Sequence, residues 1–345
     1  MIPIQNIYYM LSYAFQVLNE QGYKNIATEQ FNNTAELMAA ILEKGIAIQL
    51  KRGLGKEYIQ QTDALSSLRG KIDIAESIKT QSMLRKQLIC TYDEFSVNSI
   101  MNRIVKSTVE LLLRSNISKQ RKKNLRKLMV YFSEVDFIDL YTVNWNVQYN
   151  RNNQTYRMLI SICYLVVKGL LQTQSNGHTE LMDFLDEQRM CRLYEKFILE
   201  YYRKEFKNQF TANASQIPWQ LDNEENSMLP VMQSDIMLQS GEKVLIIDAK
   251  YYEHSTQVQF DKHTLHSGNL YQIFTYVKNK EYELREKNHT VSGMLLYAKT
   301  DEEIYPNNVY QMSGNQITVR TLDLNLPFDE IAGQLNTIAK THFDL

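Results

Sequence analysis

The run of residues 243–250, KVLIIDAK, constrains the fold of this chain more than any other segment. Four consecutive apolar residues lead into Asp248 and Lys250, and a short apolar run of this kind predicts a buried strand. Side chains alternate along a strand, so Asp248 and Lys250 share the face that Val244 and Ile246 continue toward the core. Two charged groups in such a place require solvent, a mutual ion pair or a metal ion to compensate them.

The segments around this strand predict an α/β core. A Ser240-Gly241 turn joins two β-rich runs within residues 229–251, which predicts a hairpin. Helical patterns precede and follow it over 186–206 and 269–278, and an apolar strand is predicted over 291–298. The order helix, strand, strand, helix, strand is typical of an α/β domain.

The first half of the chain is predicted to be mainly helical, with a small β subdomain projecting from it at 51–91. That interruption contains three glycines and the alternating run LRGKIDI at 68–74. Apolar residues recur at helical spacing over 4–18, 35–50, 100–113 and 158–171.

Two domains are expected, residues 1–175 and residues 176–345, because the polar, turn-forming run QTQSNGH at 172–178 predicts a junction. The expected fold class is therefore mixed: a mainly helical N-terminal region with a β subdomain, followed by an α/β core.

Composition sets limits but does not identify an activity. The formal net charge is −1, so any surface for nucleic acid must come from local clusters of Lys and Arg. One cluster is SKQRKKNLRK at 118–127, with six basic residues and no acidic one; a solvated helix face and a phosphate-binding patch both fit it. Three widely spaced cysteines, no secretory signal and no apolar run of membrane-spanning length indicate a cytoplasmic protein without a membrane role.

Asp235 lies on the strand that precedes the turn and can bring a second carboxylate to the end of the 243–250 strand. Carboxylate oxygens with open water positions suit Mg²⁺. An ion held by Asp235 and Asp248 would polarise a scissile phosphate and activate water, and Lys250 would stabilise the growing charge. An exposed ion pair at the end of a strand is the alternative interpretation.

In this context Asp235 and the Asp248-Ala249-Lys250 triplet resemble the motif of the PD-(D/E)xK nucleases, a restriction-endonuclease-like superfamily. The resemblance implies two further site residues: Gln272 on the following helix, one turn from Tyr276, and Glu195 on the preceding helix as a third metal-linked carboxylate. A plain amphipathic helix edge and a surface Glu–Lys pair remain the respective alternatives.

A wider resemblance runs nearly the length of the chain. The segments IPIQNIYYMLSYAF, RGKIDIAESI, NRIVKST and LIIDAKYY are similar to the McrC family, the nuclease subunits of McrBC type IV restriction systems. The resemblance implies a Mg²⁺-dependent endonuclease subunit that cuts double-stranded DNA containing methylated cytosine. It also implies a separate partner, a hexameric McrB-like AAA+ GTPase whose GTP hydrolysis this chain stimulates.

The same resemblance implies that the N-terminal domain docks on the partner ring, with the 51–91 segment as the inserted element and Arg52 and Arg69 as candidate contacts. The run GLGKEY at 53–58 is too short for a phosphate-binding loop, which agrees with a motor on another polypeptide. His254, Lys262, His263 and His266 lie in the loop after the catalytic strand, where they can approach DNA phosphates; a mobile surface loop explains them equally well.

Two other functions remain open from the sequence. The chain can be an autonomous PD-(D/E)xK nuclease of repair or recombination, with the basic run at 119–127 binding DNA directly. It can also be a non-catalytic adaptor that only activates the GTPase, although the intact Asp235, Asp248 and Lys250 disfavour this.

Overall fold

The structure is a computed structural model that describes residues 2–15, 18, 26, 31, 33–150, 153–175, 187–223, 228–252, 257–259, 262–299 and 305–345. The helices of these residues are α1 Ile4–Ala14, α2 Thr34–Arg52, α3 Ile74–Lys79, α4 Ile100–Arg114, α5 Lys119–Met129, α6 Tyr156–Ser175, α7 Glu187–Glu205, α8 Ser267–Glu283 and α9 Phe328–Phe343, with 3-10 turns at Ser82–Arg85 and Val130–Phe132. The strands are β1 Glu57–Leu65, β2 Lys71–Asp73, β3 Leu88–Ser96, β4 Thr211–Asn213, β5 Gln216–Ile217, β6 Met232–Gln233, β7 Ile236–Ser240, β8 Lys243–Lys250, β9 Gln257–Gln259, β10 Lys262–Thr264, β11 Thr290–Ala298, β12 Asn308–Met312 and β13 Asn315–Leu322.

The chain divides into two units that differ from the predicted domains at the N-terminus. One, here called the sheet unit, comprises Met1–Phe31 and Asp183–Leu345; the other, the helical unit, comprises Asn32–Met182. The prediction of a first domain over 1–175 is therefore wrong for residues 1–31. Their helix α1 packs on α7, and the ring of Tyr13 lies 5.7 Å from that of Phe197. An amphipathic pattern predicts that a helix is half-buried but does not say which element covers it.

The sheet unit is built on a six-stranded mixed sheet in the order β12-β13-β11-β8-β7-β4. Strands β8, β11 and β13 are parallel to one another, whereas β7 forms the predicted antiparallel hairpin with β8. Gly241 occupies the tight turn of that hairpin with φ 55°, a conformation that favours glycine. The sheet thus gathers the carboxyl ends of three parallel strands at one edge.

Helix α8 covers one face of this sheet. Its residues Ile273 and Val277 join the alternate β8 residues Val244 and Ile246 in a buried apolar cluster. Gly293 of β11 makes this packing possible, because a Cβ there would lie 2.8–2.9 Å from side-chain atoms of α8 and β13. The core therefore places the start of α8 beside the end of β8.

Helices α7 and α9 pack against each other away from α8. The hydroxyl of Tyr202 donates to the backbone oxygen of Leu335 over 3.0 Å, and the hydroxyl of Tyr201 bonds Oδ1 of Asn336 over 2.8 Å. Phe210 stacks on Phe343 with ring centroids 4.8 Å apart. This aromatic layer fixes α7, which carries Glu195, against the sheet unit.

The helical unit has its core between α2, α4 and α6. The side chain of Asn33 accepts from the backbone N–H of Glu36 and begins α2, and Ser99 begins α4 in the same way. Tyr156 of α6 is buried and its hydroxyl lies 2.5 Å from Oδ1 of Asn102. The predicted helix over 158–171 is confirmed as part of α6, and its residues 158–167 are mostly buried.

The predicted β subdomain is confirmed, but it lies at 57–96 rather than 51–91. In this β element, β3 pairs with both β1 and β2 in antiparallel register. Only residues 71–73 of the predicted strand 68–74 are extended, because the Asp73 side chain accepts from the N–H of Glu76 and begins α3. Several large apolar side chains of the element are more than half exposed: Tyr58, Leu68, Ile74, Ile78, Met83, Leu84 and Phe95.

The basic run at 118–127 forms α5. The side of α5 that faces α2 forms ion pairs with acidic residues of α2. Arg121 lies 2.9 Å from Glu43 and 3.3 Å from Glu36, and Leu125 is fully buried. No helix in the part of the chain that the structure describes is long and apolar enough to cross a membrane.

Candidate active site

The candidate site lies where β8 ends, and the strand register brings its first two carboxylates together. Ile236 of β7 pairs with Ile247 of β8, so Asp235, one residue earlier, stands across from Asp248. Asp248 is only 1% exposed. A carboxylate so deeply buried needs a specific partner, and the neighbouring side chains provide it.

Lys250 is the partner of Asp248. Its Nζ donates to Oδ1 of Asp248 over 3.0 Å and lies 2.9 Å from Oδ2. Burial lowers the pKa of Lys250, but the Asp248 carboxylate outweighs burial and leaves that pKa above its usual value. The ammonium therefore stays charged at neutral pH and is fixed beside the carboxylate, as the alternation along the strand predicts. The pair is buried, which excludes the alternative of an exposed strand-end ion pair.

Asp235 completes the pair of carboxylates. The backbone N–H of Ala249 donates to its Oδ2 over 2.9 Å, which holds the carboxylate at the end of β8. Burial raises the pKa of Asp248; Lys250 opposes that rise, and the like charge of Asp235 adds to it. Neighbouring carboxylates repel each other when both are ionised, so a further positive charge between them would stabilise the site.

Gln272 and Tyr276 of α8 also meet this group. Lys250 donates a second hydrogen bond to Oε1 of Gln272 over 3.3 Å, and Nε2 of Gln272 donates to the hydroxyl of Tyr276 over 3.0 Å. Gln272 thus does more than line an amphipathic helix edge: it accepts a hydrogen bond from the same ammonium that pairs with Asp248.

Glu195 of α7 reaches the same site from another element. Burial raises its pKa to about 7, and the charge of Asp235 contributes to the rise, whereas Lys250 and Arg192 lower it. Two of the charges that act on Glu195 therefore belong to the site residues Asp235 and Lys250. The structure therefore brings all five predicted site residues into one region.

Most of the chain matches a known protein family. Residues 5–298 match the family described as McrBC 5-methylcytosine restriction system component. The chain belongs to this McrBC family. It is 29% identical over 330 residues to the type IV methyl-directed restriction enzyme EcoKMcrBC of Escherichia coli K12, a match that covers 94% of this chain and 93% of the relative.

Two solved structures with Thermococcus gammatolerans proteins resemble the McrBC-family chain. The first is a refined half-complex from a tetradecameric assembly of McrB AAA+ hexamers with bound McrC, with 18% identity, a TM-score of 0.47 and coverage of 97% of this chain and 76% of that one. The second is an McrBC complex, with 22% identity, a TM-score of 0.42 and 59% of each chain covered.

The structure adds a polar network to this McrBC-family site that the sequence did not reveal. Tyr297 of β11 pairs in register with Lys250, and its buried hydroxyl accepts from Nδ2 of Asn269 over 2.9 Å. The hydroxyl of Tyr252 lies 3.3 Å from Oδ1 of the same Asn269. A Tyr at the end of an apolar strand, VSGMLLYA, was the available signal, because a polar tip there requires a partner.

The predicted DNA-approaching loop is described only in part. His254 and the side chains of Lys262 and His263 lie outside the described residues. His266 precedes α8, and its ring packs at an angle on Tyr252 with centroids 5.4 Å apart.

The residues present fit a magnesium ion. Oδ2 of Asp248 is buried and has the Lys250 ammonium 2.9 Å away, but it receives no hydrogen bond of regular geometry from the described residues, so a carboxylate lone pair stays available. Carboxylate oxygens are the ligands that Mg²⁺ prefers. Among the described residues no group of three His, Cys, Asp or Glu side chains is arranged to hold a metal. The fit therefore rests on Asp235 and Asp248, with Glu195 in the surrounding field.

Proposed function

We propose that this chain is the Mg²⁺-dependent endonuclease subunit of an McrBC restriction system and belongs to the PD-(D/E)xK nucleases. One observation carries the proposal: the end of β8 buries Asp248 against Lys250, with Asp235 held beside them by the N–H of Ala249. Burial of these charges is costly, and costly buried charges are concentrated at functional sites.

The roles of the residues follow from their contacts. Asp235 and Asp248 would hold Mg²⁺, which when bound polarises a phosphate and makes hydroxide available near neutral pH. Lys250 remains protonated because Asp248 raises its pKa, and it places a fixed positive charge where negative charge grows on the phosphate. Gln272 holds that ammonium in one orientation through its 3.3 Å contact.

Glu195 supplies a different property. A carboxyl with a pKa of about 7 is protonated in part of the population at neutral pH. It can hold or accept a proton next to the other two carboxyl groups, and a bound cation would shift it toward its charged form. We assign it as the third carboxylate of the site.

The partner follows from the family, whose description names one component of a restriction system. We propose that the chain works with an McrB-like AAA+ GTPase hexamer, that it stimulates GTP hydrolysis, and that the assembly cuts double-stranded DNA containing methylated cytosine. The matching T. gammatolerans assembly has McrC bound to McrB AAA+ hexamers in its own description.

The β element is the proposed docking element of the helical unit. Its exposed apolar side chains have no cover in the described residues, and exposed apolar clusters of this kind mark protein contacts. Arg69 stacks on Tyr92 at 4.3 Å within the element, which holds the guanidinium in a defined place. Arg52 ends α2 and is exposed.

The deciding experiment measures cleavage of a methylated plasmid by wild type and Asp248→Ala, each with the partner GTPase, GTP and Mg²⁺, while GTP turnover is followed. We expect cleavage to disappear and stimulated GTP turnover to remain. Asp323→Ala is the matched control, because Asp323 forms an ion pair with Lys299 at 2.6 Å beside the same sheet but outside the site.

Cleavage that persists in Asp248→Ala would show that the buried pair has only a structural role. Cleavage by the wild-type chain without its partner would favour an autonomous nuclease. Unchanged GTP turnover on addition of the wild-type chain would contradict the proposed stimulation.

A further inference from the structure

The outward side of α5 has an unusual charge distribution. Between Glu110 and Glu134 the sequence contains no acidic residue, although the chain as a whole has 39 acids against 38 bases. Six cations of this region lie on α5, and the five other than Arg121 are named here the basic stripe: Lys119, Lys122, Lys123, Arg126 and Lys127. Four of them are exposed, and Lys122 is half-buried.

The stripe is separate from the side of α5 that packs on α2. The packed side holds Leu125 and the hydrogen-bonded Asn124, together with Arg121, whose charge is compensated by Glu36 and Glu43. Each stripe residue lies three or four positions from at least one other, so together they form one band about 12 Å long on the other side. Among the described residues no acid forms an ion pair with any of them.

The basic stripe lowers the stability of the helix that carries it. Like charges three and four residues apart repel each other, and cations in the first turn oppose the helix dipole. A face that serves only for solubility mixes both signs, which would remove these costs. Glu36 and Glu43 pair with Arg121 and leave the stripe uncompensated, a charge distribution that favours contact with an anionic surface.

We propose that the basic stripe binds the phosphate backbone of duplex DNA; this rests on the proposed function, in which DNA is the substrate. Duplex DNA presents one phosphate about every 3.4 Å along each strand, so a band about 12 Å long faces roughly three or four of them. Lys and Arg contacts of this kind hold DNA without reading its sequence. The stripe therefore positions DNA and does not distinguish methylated from unmethylated sites.

The test is binding of the full chain to a labelled 30-base-pair duplex, followed by fluorescence anisotropy in EDTA over a series of salt concentrations. The stripe variant carries Lys123→Gln, Arg126→Gln and Lys127→Gln. The control carries Lys207→Gln, Lys287→Gln and Lys340→Gln, three exposed cations of the sheet unit, and so has the same net charge. A third variant, Lys123→Arg with Lys127→Arg, keeps the stripe's charge.

We expect the stripe variant to lose at least tenfold in affinity at 150 mM salt, equally for methylated and unmethylated duplexes. The slope of log affinity against log salt should fall by about 2 to 3, close to 0.9 for each phosphate contact removed. The control should change less than twofold, and the arginine variant should bind like wild type. Circular dichroism of all variants checks that they are folded.

Equal affinity and slope in the stripe and control variants would overturn the proposal, as would absence of duplex binding by wild type both alone and with its partner GTPase. Loss of partner binding with DNA binding unchanged would also overturn it, and would assign the stripe to an acidic protein surface. Because EDTA prevents cleavage, these outcomes are independent of whether Asp248 is catalytic.

Discussion

Strands β8 and β1 have similar lengths but opposite environments. Six consecutive residues of β8, including Asp248, are buried, whereas no residue of β1 is fully buried. In the sheet unit the strand is covered on both faces, and its charged end is enclosed by partners. In the β element the apolar side chains themselves are exposed. Strand β8 therefore carries a site enclosed by the protein. Strand β1 belongs instead to an element whose apolar side chains are not covered by any described residue.

Among the variants that test this difference, Lys250→Met should have the largest effect on the free energy of unfolding. Removal of the ammonium leaves the buried Asp248 carboxylate without its partner, which typically destabilises a fold by about 3–5 kcal/mol. Urea unfolding should show this loss, and cleavage should disappear. The double variant Asp248→Asn with Lys250→Met should regain most of the stability but no cleavage. If Lys250→Met were as stable as wild type, water would have to solvate the Asp248 carboxylate in place of Lys250.

Packing of α8 on the sheet gives the next largest effect. Gly293→Ala places a methyl group 2.8–2.9 Å from Ile273, Val277 and Ile317, and such overpacking costs about 1–3 kcal/mol. Gly333→Ala is the control, since nothing lies within 4 Å of its added Cβ and alanine favours a helix. Thermal unfolding should separate the two variants in opposite directions. Equal melting temperatures would show that α8 shifts to accept the methyl group.

A smaller effect on stability is expected in the β element. Ile78→Ser and Leu84→Ser change side chains that are 62% and 81% exposed, so the free energy of unfolding should change by less than about 0.5 kcal/mol. Partner-stimulated GTP turnover should nevertheless fall, because the docking surface loses apolar area. Full stimulation by both variants would remove the β element as the docking surface.

The smallest effect concerns pH. Burial lowers the pKa of His342, and the neighbouring Lys243 adds to the shift. The unfolded chain therefore binds a proton more readily than the folded one, so stability is lost as the pH falls from about 7 through the ordinary histidine pKa. Urea midpoints at pH 7.5 and 5.5 should differ less in His342→Gln than in wild type. An identical difference in both proteins would contradict this prediction.

Local patterns predicted the elements that position the site, and contacts distant in sequence decided the rest. Alternation in KVLIIDAK placed Asp248 and Lys250 on one face, and the turn at Gly241 set the hairpin that returns Asp235 to them. Both rules act over a few residues.

Elements outside such patterns were missed. The Asn269–Tyr297 contact joins α8 to β11, and no periodicity links those residues. Strands β12 and β13 and helix α9 received no prediction, and α1 was assigned to the wrong unit. In each case the information lies in which surface covers another, which a single sequence does not state.

The pairing of α1 with α7 also sets an order of events during synthesis. The sheet unit is made of two pieces of chain, and the helical unit is the whole of the stretch between them. At ribosomal rates of about 5–20 residues per second, the helical unit can fold roughly 10 to 30 s before α9 emerges to complete the aromatic layer. Helix α1 meanwhile waits for α7, which follows the helical unit in the chain. The candidate site, whose residues run from Glu195 to Gln272, is consequently assembled after the helical unit.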